Sequence, residues 1–225
     1  MRPAVYRVLS AALLLAASGL VASLALTAIE RLTAGRIAEA ERQAELRALA
    51  MVLPSTRFDN DPLADSIQVR APYWLGSPDA LPIRRARLAG VSSVLVIDSV
   101  APDGYSGDIH LLIGIDHSGR IVGVRVTRHR ETPGLGDRIE AHRSDWIDRF
   151  AGLALDDPPS PSWRVRKDGG QFDQFAGATI TPRAVVRAVH RTLSFVDRHR
   201  DALENAETGS ELHFDDAPEH YQPTR

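Results

Sequence analysis

Asp173-Gln174-Phe175-Ala176-Gly177-Ala178-Thr179 leads into Thr181-Pro182 and then into Val185, Val186, Val189 and Leu193 at helical spacing. Thr181 suits an N-cap and Pro182 the first helical position, so the pattern predicts a helix from residue 182 to about residue 205. Thr179 then stands just ahead of a helix N-terminus. Backbone N–H groups and the positive end of the helix dipole favour a phosphate at such a point, and Gly177 with Ala178 leaves room for one to approach. The Thr179 hydroxyl is therefore a candidate to carry a phosphoester, with Thr181 as the competing hydroxyl. An ordinary glycine-containing loop ahead of a surface helix satisfies the same local physics, so the segment alone leaves both readings open.

Upstream, residues 91–100 and 109–115 are rich in β-formers. Asp116-His117-Ser118-Gly119 joins the second run to residues 121–127, where Val122, Val124 and Val126 share one face, which predicts a hairpin. Thr132-Pro133-Gly134-Leu135-Gly136 places Pro and Gly for a type II turn. Residues 137–150 are helical in character, with Ile139, Trp146, Ile147 and Phe150 available for packing. A Pro-rich loop and a short strand at 163–165 lead into the Gly169-Gly170 turn. Strands followed by helices, without βαβ alternation, predict an α+β domain over residues 83–200. Residues 201–225 read as an acidic tail with little to pack, disordered or held by a partner.

The 225 residues are 44% hydrophobic and 25% charged, enough for one sizeable domain with appendages. A formal net charge of −2 gives no basic field of the kind that nucleic-acid binding requires. The absence of cysteine excludes a disulfide framework, an iron–sulfur cluster and thiolate zinc. The eight histidines show no metal-ligand spacing, so no metal site is expected and redox chemistry would need an organic cofactor. No Gly-x-Gly-x-x-Gly follows a strand and no nucleophile stands beside a base, so no catalytic residue is assigned.

After a short tail at 1–7, residues 8–29 are uncharged and dominated by Leu, Ala, Val and Ile. At about 1.5 Å per residue they span a ~30 Å hydrocarbon layer as a transmembrane helix. A cleaved signal peptide is the rival, given Arg2, Arg7 and the small residues Ala22-Ser23-Leu24-Ala25. The apolar run is long for that role, and helical character continues beyond it. Ile37, Ala40, Ala44, Ala48 and Met51 recur at helical spacing, so the chain from residue 30 reads as a helical stalk ended by Pro54. The rest, to residue 82, reads as irregular connection without chemistry. Arg31, Arg36, Arg42 and Arg47 outnumber the arginines ahead of the span, which by counting keeps the domain inside. They alternate with Glu30, Glu39, Glu41 and Glu45, which weakens that rule.

Gly104-Tyr105-Ser106-Gly107, His129-Arg130-Glu131-Thr132-Pro133-Gly134-Leu135-Gly136-Asp137-Arg138-Ile139-Glu140 and residues 168–186 together resemble the RnfG family, flavoproteins of the Rnf electron-transport complexes. The RsxG proteins of enteric bacteria belong to the same group. The similarity is strong over residues 101–195 and lapses over 55–82 and the tail. In that family, Asp-x-x-(Ser/Thr)-Gly-Ala-Thr marks where a flavin transferase attaches FMN through its phosphate; the pattern is met here except at Ala176. The resemblance implies a single-pass protein of the bacterial inner membrane, with an FMN-binding domain on the periplasmic side and FMN esterified to Thr179. It implies a subunit of an ion-translocating oxidoreductase that relays electrons between other membrane subunits, linking ferredoxin and NAD to ion movement, with no turnover of its own.

On that footing Gly177 and Ala178 belong to the attachment loop. Asp173 helps the transferase recognise the loop or binds its metal, or is merely an exposed carboxylate. Glu131, Thr132, Leu135, Tyr105 and Ser106 are the flavin-pocket candidates. Two alternatives stay open. One is a scaffold subunit that kept the fold and lost flavin, suggested by Ala176. The other is a subunit of the related sodium-pumping quinone reductase, which shares the flavin motif.

Overall fold

The computed structural model describes residues 2–216. The chain divides into two compact units, Met1–Leu46 and Arg47–Arg225. Helix α1 (Arg2–Ala50) forms the described part of the first unit and ends inside the second. No proline interrupts the chain between Pro3 and Pro54, so the helix is continuous and includes residues 2–7, which the sequence assigned to a tail. Leu13, Leu15, Leu20, Val21, Leu24 and Leu26 are all exposed. A helix this long, with these apolar side chains uncovered, matches what a hydrocarbon layer accepts.

The second unit is built on a sheet of six strands among the described residues, in the order β5-β4-β3-β2-β1-β6. The strands are β1 (Ser66–Arg70), β2 (Leu81–Leu88), β3 (Val91–Ala101), β4 (Ile109–Asp116), β5 (Ile121–Arg128) and β6 (Glu211–His213). Strands β1 to β5 form an antiparallel meander. Helix α3 (Ile180–Asn205) then carries the chain back, so that β6 pairs in parallel with β1. This is the α+β architecture expected.

The strand period of two sorts the central residues between two faces. Leu95 and Ile97 of β3 and Leu111 and Ile113 of β4 join the core that holds Val185, Val189 and Val196 of α3. Val94, Val96 and Leu112 instead pack with Leu49, Val52 and Leu53, at and just after the end of α1. The chain at Val52 lies so close that a Cβ on Gly114 would stand 2.5 Å from its carbonyl oxygen. The hairpin forms as expected, but Val122 does not share a face with Val124 and Val126. A bulge between Gly114 and Ile115 turns Val122 toward the Val52 side, while Val124 and Val126 keep to the α3 side.

Residues 55–82, read from sequence as irregular connection, contribute β1 and the short helix α2 (Pro72–Leu75). Only Ile67 and Val69 alternate inward in β1, an apolar pattern too short to stand out, yet both are fully buried. The tail is corrected as well. β6 pairs Gln68 with Glu211 and Arg70 with His213, and the Phe214 ring packs edge-on against Phe195 at 5.2 Å; residues 217–225 of that tail lie outside the described residues. Residues 137–150 form two 3-10 turns, Gly136–Ile139 and Trp146–Phe150, separated by extended backbone at Glu140. Residues 163–165 supply only a single bridge, Val165 to Phe172.

Arg85, 1% exposed, ties β2 to the end of α3. Its guanidinium donates to the carbonyl of Ala206 at 2.6 Å and to the Thr208 hydroxyl at 2.9 Å, and pairs with Asp65 at 2.5 Å. Burial alone would push the Asp65 carboxyl up, but hydrogen bonds from Arg87 and Arg85 outweigh it and hold that carboxyl below its ordinary range. A buried cation satisfied on every side, at the negative end of a helix, fixes where the chain turns toward β6. Because the Phe214 ring packs on Phe195 of α3, Phe214→Ala should lower unfolding stability by about 1–2 kcal/mol in urea titrations of the detergent-solubilised chain.

Candidate functional site

Two tight turns meet at the N-terminus of α3. The first is the expected one: the Leu135 N–H donates to the Thr132 carbonyl at 3.1 Å, with Gly134 at φ +78°. The second is closed by the Ala178 N–H on the Phe175 carbonyl at 3.1 Å, with Gly177 also at φ +78°. Both glycines occupy the left-handed position that a type II turn demands. The turns face each other, since a Cβ on Gly177 would lie 3.6 Å from Leu135 Cδ2.

Between them lies a cavity of about 280 Å³. Six of the sequence candidates line it: Tyr105, Glu131, Thr132, Leu135, Gly177 and Ala178. Tyr105 and Leu135 are 68% and 42% exposed, so the mouth is rimmed by an aromatic and an aliphatic side chain. Gly136 and Thr181 complete the wall, and sequence reasoning had not placed either there. Ser106 does not line the cavity; it is exposed and contributes its backbone N–H to Glu131.

Glu131 organises the site. It is 4% exposed; Oε1 accepts the Ser106 N–H at 2.9 Å and Oε2 accepts the hydroxyl of Thr181. One buried carboxylate thereby joins the 104–107 loop, the 131–136 turn and the first turn of α3. Gly136 is what lets it fit: a Cβ there would stand 2.9 Å from both Glu131 Cβ and Thr181 Oγ1.

This changes the roles of the two threonines. Thr181 does not cap α3. The helix begins at Ile180, with Thr179 at the N-cap position in helical backbone geometry, φ −69° and ψ −28°. The Thr181 hydroxyl is committed to the buried carboxylate, and Pro182 sits within the first turn, where a backbone N–H has no intrahelical partner to lose. Thr179 makes no side-chain capping hydrogen bond and is half-buried beside the cavity wall at Ala178. Its hydroxyl stands next to the open N–H groups of the helix start and is not spent on them.

Asp173 lies outside the cavity. Its carboxylate pairs with Arg149 and, at 3.1 Å, with Arg166, while its carbonyl accepts the Trp146 indole N–H at 2.8 Å. The Trp146 ring packs edge-on against Phe175 at 5.3 Å, so this cluster pins the loop that presents Gly177 to Thr179. Asp168 adds a second tie, taking Arg183 of the first α3 turn at 2.6 and 2.9 Å; the hydrogen bond from Arg183 holds the Asp168 carboxyl below its ordinary value. Ala176 is exposed and outside the cavity, so its missing hydroxyl leaves the wall intact. Among the described residues, no group of three His, Asp or Glu is placed to hold a metal ion.

The FMN-binding domain family matches residues 104–194, which contain every element of this site. Over 192 residues the chain is 50% identical to the ion-translocating oxidoreductase complex G subunit of Pseudomonas aeruginosa, covering 85% of this chain and 90% of that protein. The protein of the same name from Stutzerimonas stutzeri is 49% identical over 193 residues, 84% of this chain and 82% of the relative. That from Aliivibrio fischeri is 43% identical over 192 residues, 85% and 91% of the two.

Removing the Thr181 hydroxyl should leave one oxygen of a buried carboxylate without its donor. Thr181→Val is expected to cost about 1–3 kcal/mol of stability and Thr181→Ser to recover most of it, read from chemical denaturation midpoints.

Proposed function

Because the chain belongs to the family of G subunits from ion-translocating oxidoreductase complexes, we propose that it is a membrane-anchored flavoprotein subunit that relays electrons through FMN esterified to Thr179. The observation that carries the attachment site is the uncommitted hydroxyl of Thr179 ahead of α3, one residue from the cavity wall at Ala178. The helix N-terminus favours a phosphate there, and Gly177 keeps the approach clear of side chains. The cavity, about 280 Å³, falls just under the ~300–1,000 Å³ usual for sites that enclose a small ligand, and so suits one planar ring system left open on a side. Tyr105 and Leu135 supply apolar surface for such a ring. When bound, FMN supplies one- and two-electron redox chemistry that no side chain of this cysteine-free protein offers.

The chain's residues therefore bind and orient. Glu131 holds the walls together and sets a negative charge against them; Asp173, Arg149 and Trp146 keep the attachment loop fixed for a flavin transferase. Residues 8–29 of α1 are proposed as the membrane span, with the domain on the periplasmic side, since large domains cross membranes despite flanking arginines. The other membrane subunits of the complex are its redox partners.

Denaturing electrophoresis of chain co-expressed with a flavin transferase tests the attachment. Thr179→Ala should reduce covalent flavin fluorescence at least tenfold, and fluorescence that survives in that variant would assign the bond elsewhere. Labelling that is absent in the natural chain and appears only in Ala176→Ser would favour a scaffold that has lost its flavin.

Glu131 makes no ion pair among the described residues, so its charge beside the cavity opposes added electrons. Glu131→Gln is expected to raise the flavin midpoint potential by an amount on the order of tens of millivolts in redox titrations. An unchanged potential would place Glu131 away from the ring.

A further inference from the structure

A second cavity, of about 230 Å³, opens between the β4–β5 turn, the 154–157 loop and the later half of α3. Leu193 and Arg200, which line it, lie 12 and 19 residues beyond Thr181, or about 18 and 28 Å along the helix axis. It is thus separate from the flavin site. Its floor is apolar, made by Ile115, Leu155, Leu193 and Val196, and its rim is charged.

The rim charges do not cancel. Arg200 is engaged by Glu204 at 3.1 Å and by the Asp116 carbonyl at 3.2 Å. Asp157 pairs with Arg120 at 3.0 Å. Asp156 and Asp197 remain, both exposed and neither in an ion pair among the described residues. Two uncompensated carboxylates above an apolar floor complement a group with an aliphatic stem and a cationic head.

We propose that this cavity is a docking socket for an arginine or lysine side chain of another subunit of the complex. The stem would lie over Leu193 and Val196, and the head between Asp156 and Asp197. The inference rests on the reading of the chain as one subunit of a membrane assembly. The socket faces a different part of α3 from the flavin cavity.

The test uses the full chain within its complex, affinity-purified in mild detergent. The double variant Asp156→Asn/Asp197→Asn should dissociate from the complex at a salt concentration at least threefold lower than the natural chain, because a charge-based contact is screened by salt. A photoreactive benzoylphenylalanine in place of Ser118, an exposed residue of the same cavity that leaves both carboxylates intact, should cross-link to a peptide of another subunit that contains Arg or Lys. Unchanged salt tolerance of the double variant overturns the proposal. So does a cross-link confined to a second copy of this chain or to a peptide lacking basic residues, or no protein cross-link at all. Flavin fluorescence is recorded on the same samples. Its absence from the natural chain would count against the flavin reading while leaving the docking result to stand or fall separately.

Discussion

A buried carboxylate without a cation partner is costly unless its oxygens are hydrogen-bonded, and the site depends on how Glu131 meets that demand. One oxygen takes the Ser106 N–H, the other the Thr181 hydroxyl. Three segments distant in sequence are therefore held together by one functional group, and none can shift without leaving a charge unsatisfied. Gly136 follows from the same constraint, because the carboxylate and the threonine occupy the space a side chain would need. So does the start of α3: with Thr181 drawn inward, the helix begins one residue after Thr179.

The sheet supplies the rigidity that this arrangement uses. Its central strands are covered on both faces, by α3 on one and by the chain after α1 on the other. α3 is pinned at its far end by Arg85 and at its near end by Glu131 through Thr181 and by Asp168 through Arg183. The loop before it is locked by Trp146 and the ion pairs of Asp173. A site assembled from loops is thereby fixed by elements that cannot easily slide.

Much of this is legible in the sequence where the signal is periodic or local. The three strands from residue 91 to 128, the long helix after Thr179 and the turn at Thr132–Leu135 are set by alternation, helical spacing and Pro-Gly placement, and the structure holds them. Tyr105, Glu131, Thr132, Leu135, Gly177 and Ala178 are reached through resemblance and do share one cavity. What escapes is set by partners far along the chain. β1 escapes because it is short, and β6 is a strand only because β1, at the other end of the domain, offers a hydrogen-bonding edge. The inward turn of Thr181 has no local cue either. Capping preference alone assigns that hydroxyl to the backbone; only the three-dimensional position of Glu131, fifty residues earlier, redirects it. For Asp173 the resemblance suggests a part in recognition or metal binding by the transferase and the bare sequence an exposed carboxylate, and neither gives a cue to the two arginines it pairs with.

The parallel pairing of β6 with β1 bears on biogenesis. Until residues 211–213 leave the ribosome, β1 presents an open row of backbone donors and acceptors, the kind of margin through which nascent chains adhere to one another. The strand that seals this margin is made only after the whole meander and α3, and Arg85 of β2 waits until then for the Ala206 carbonyl and the Thr208 hydroxyl. Closure of the sheet therefore comes late in the making of the domain, and a product cut short near residue 205 would leave a sticky flank and an Arg85 held by Asp65 but without its Ala206 and Thr208 acceptors.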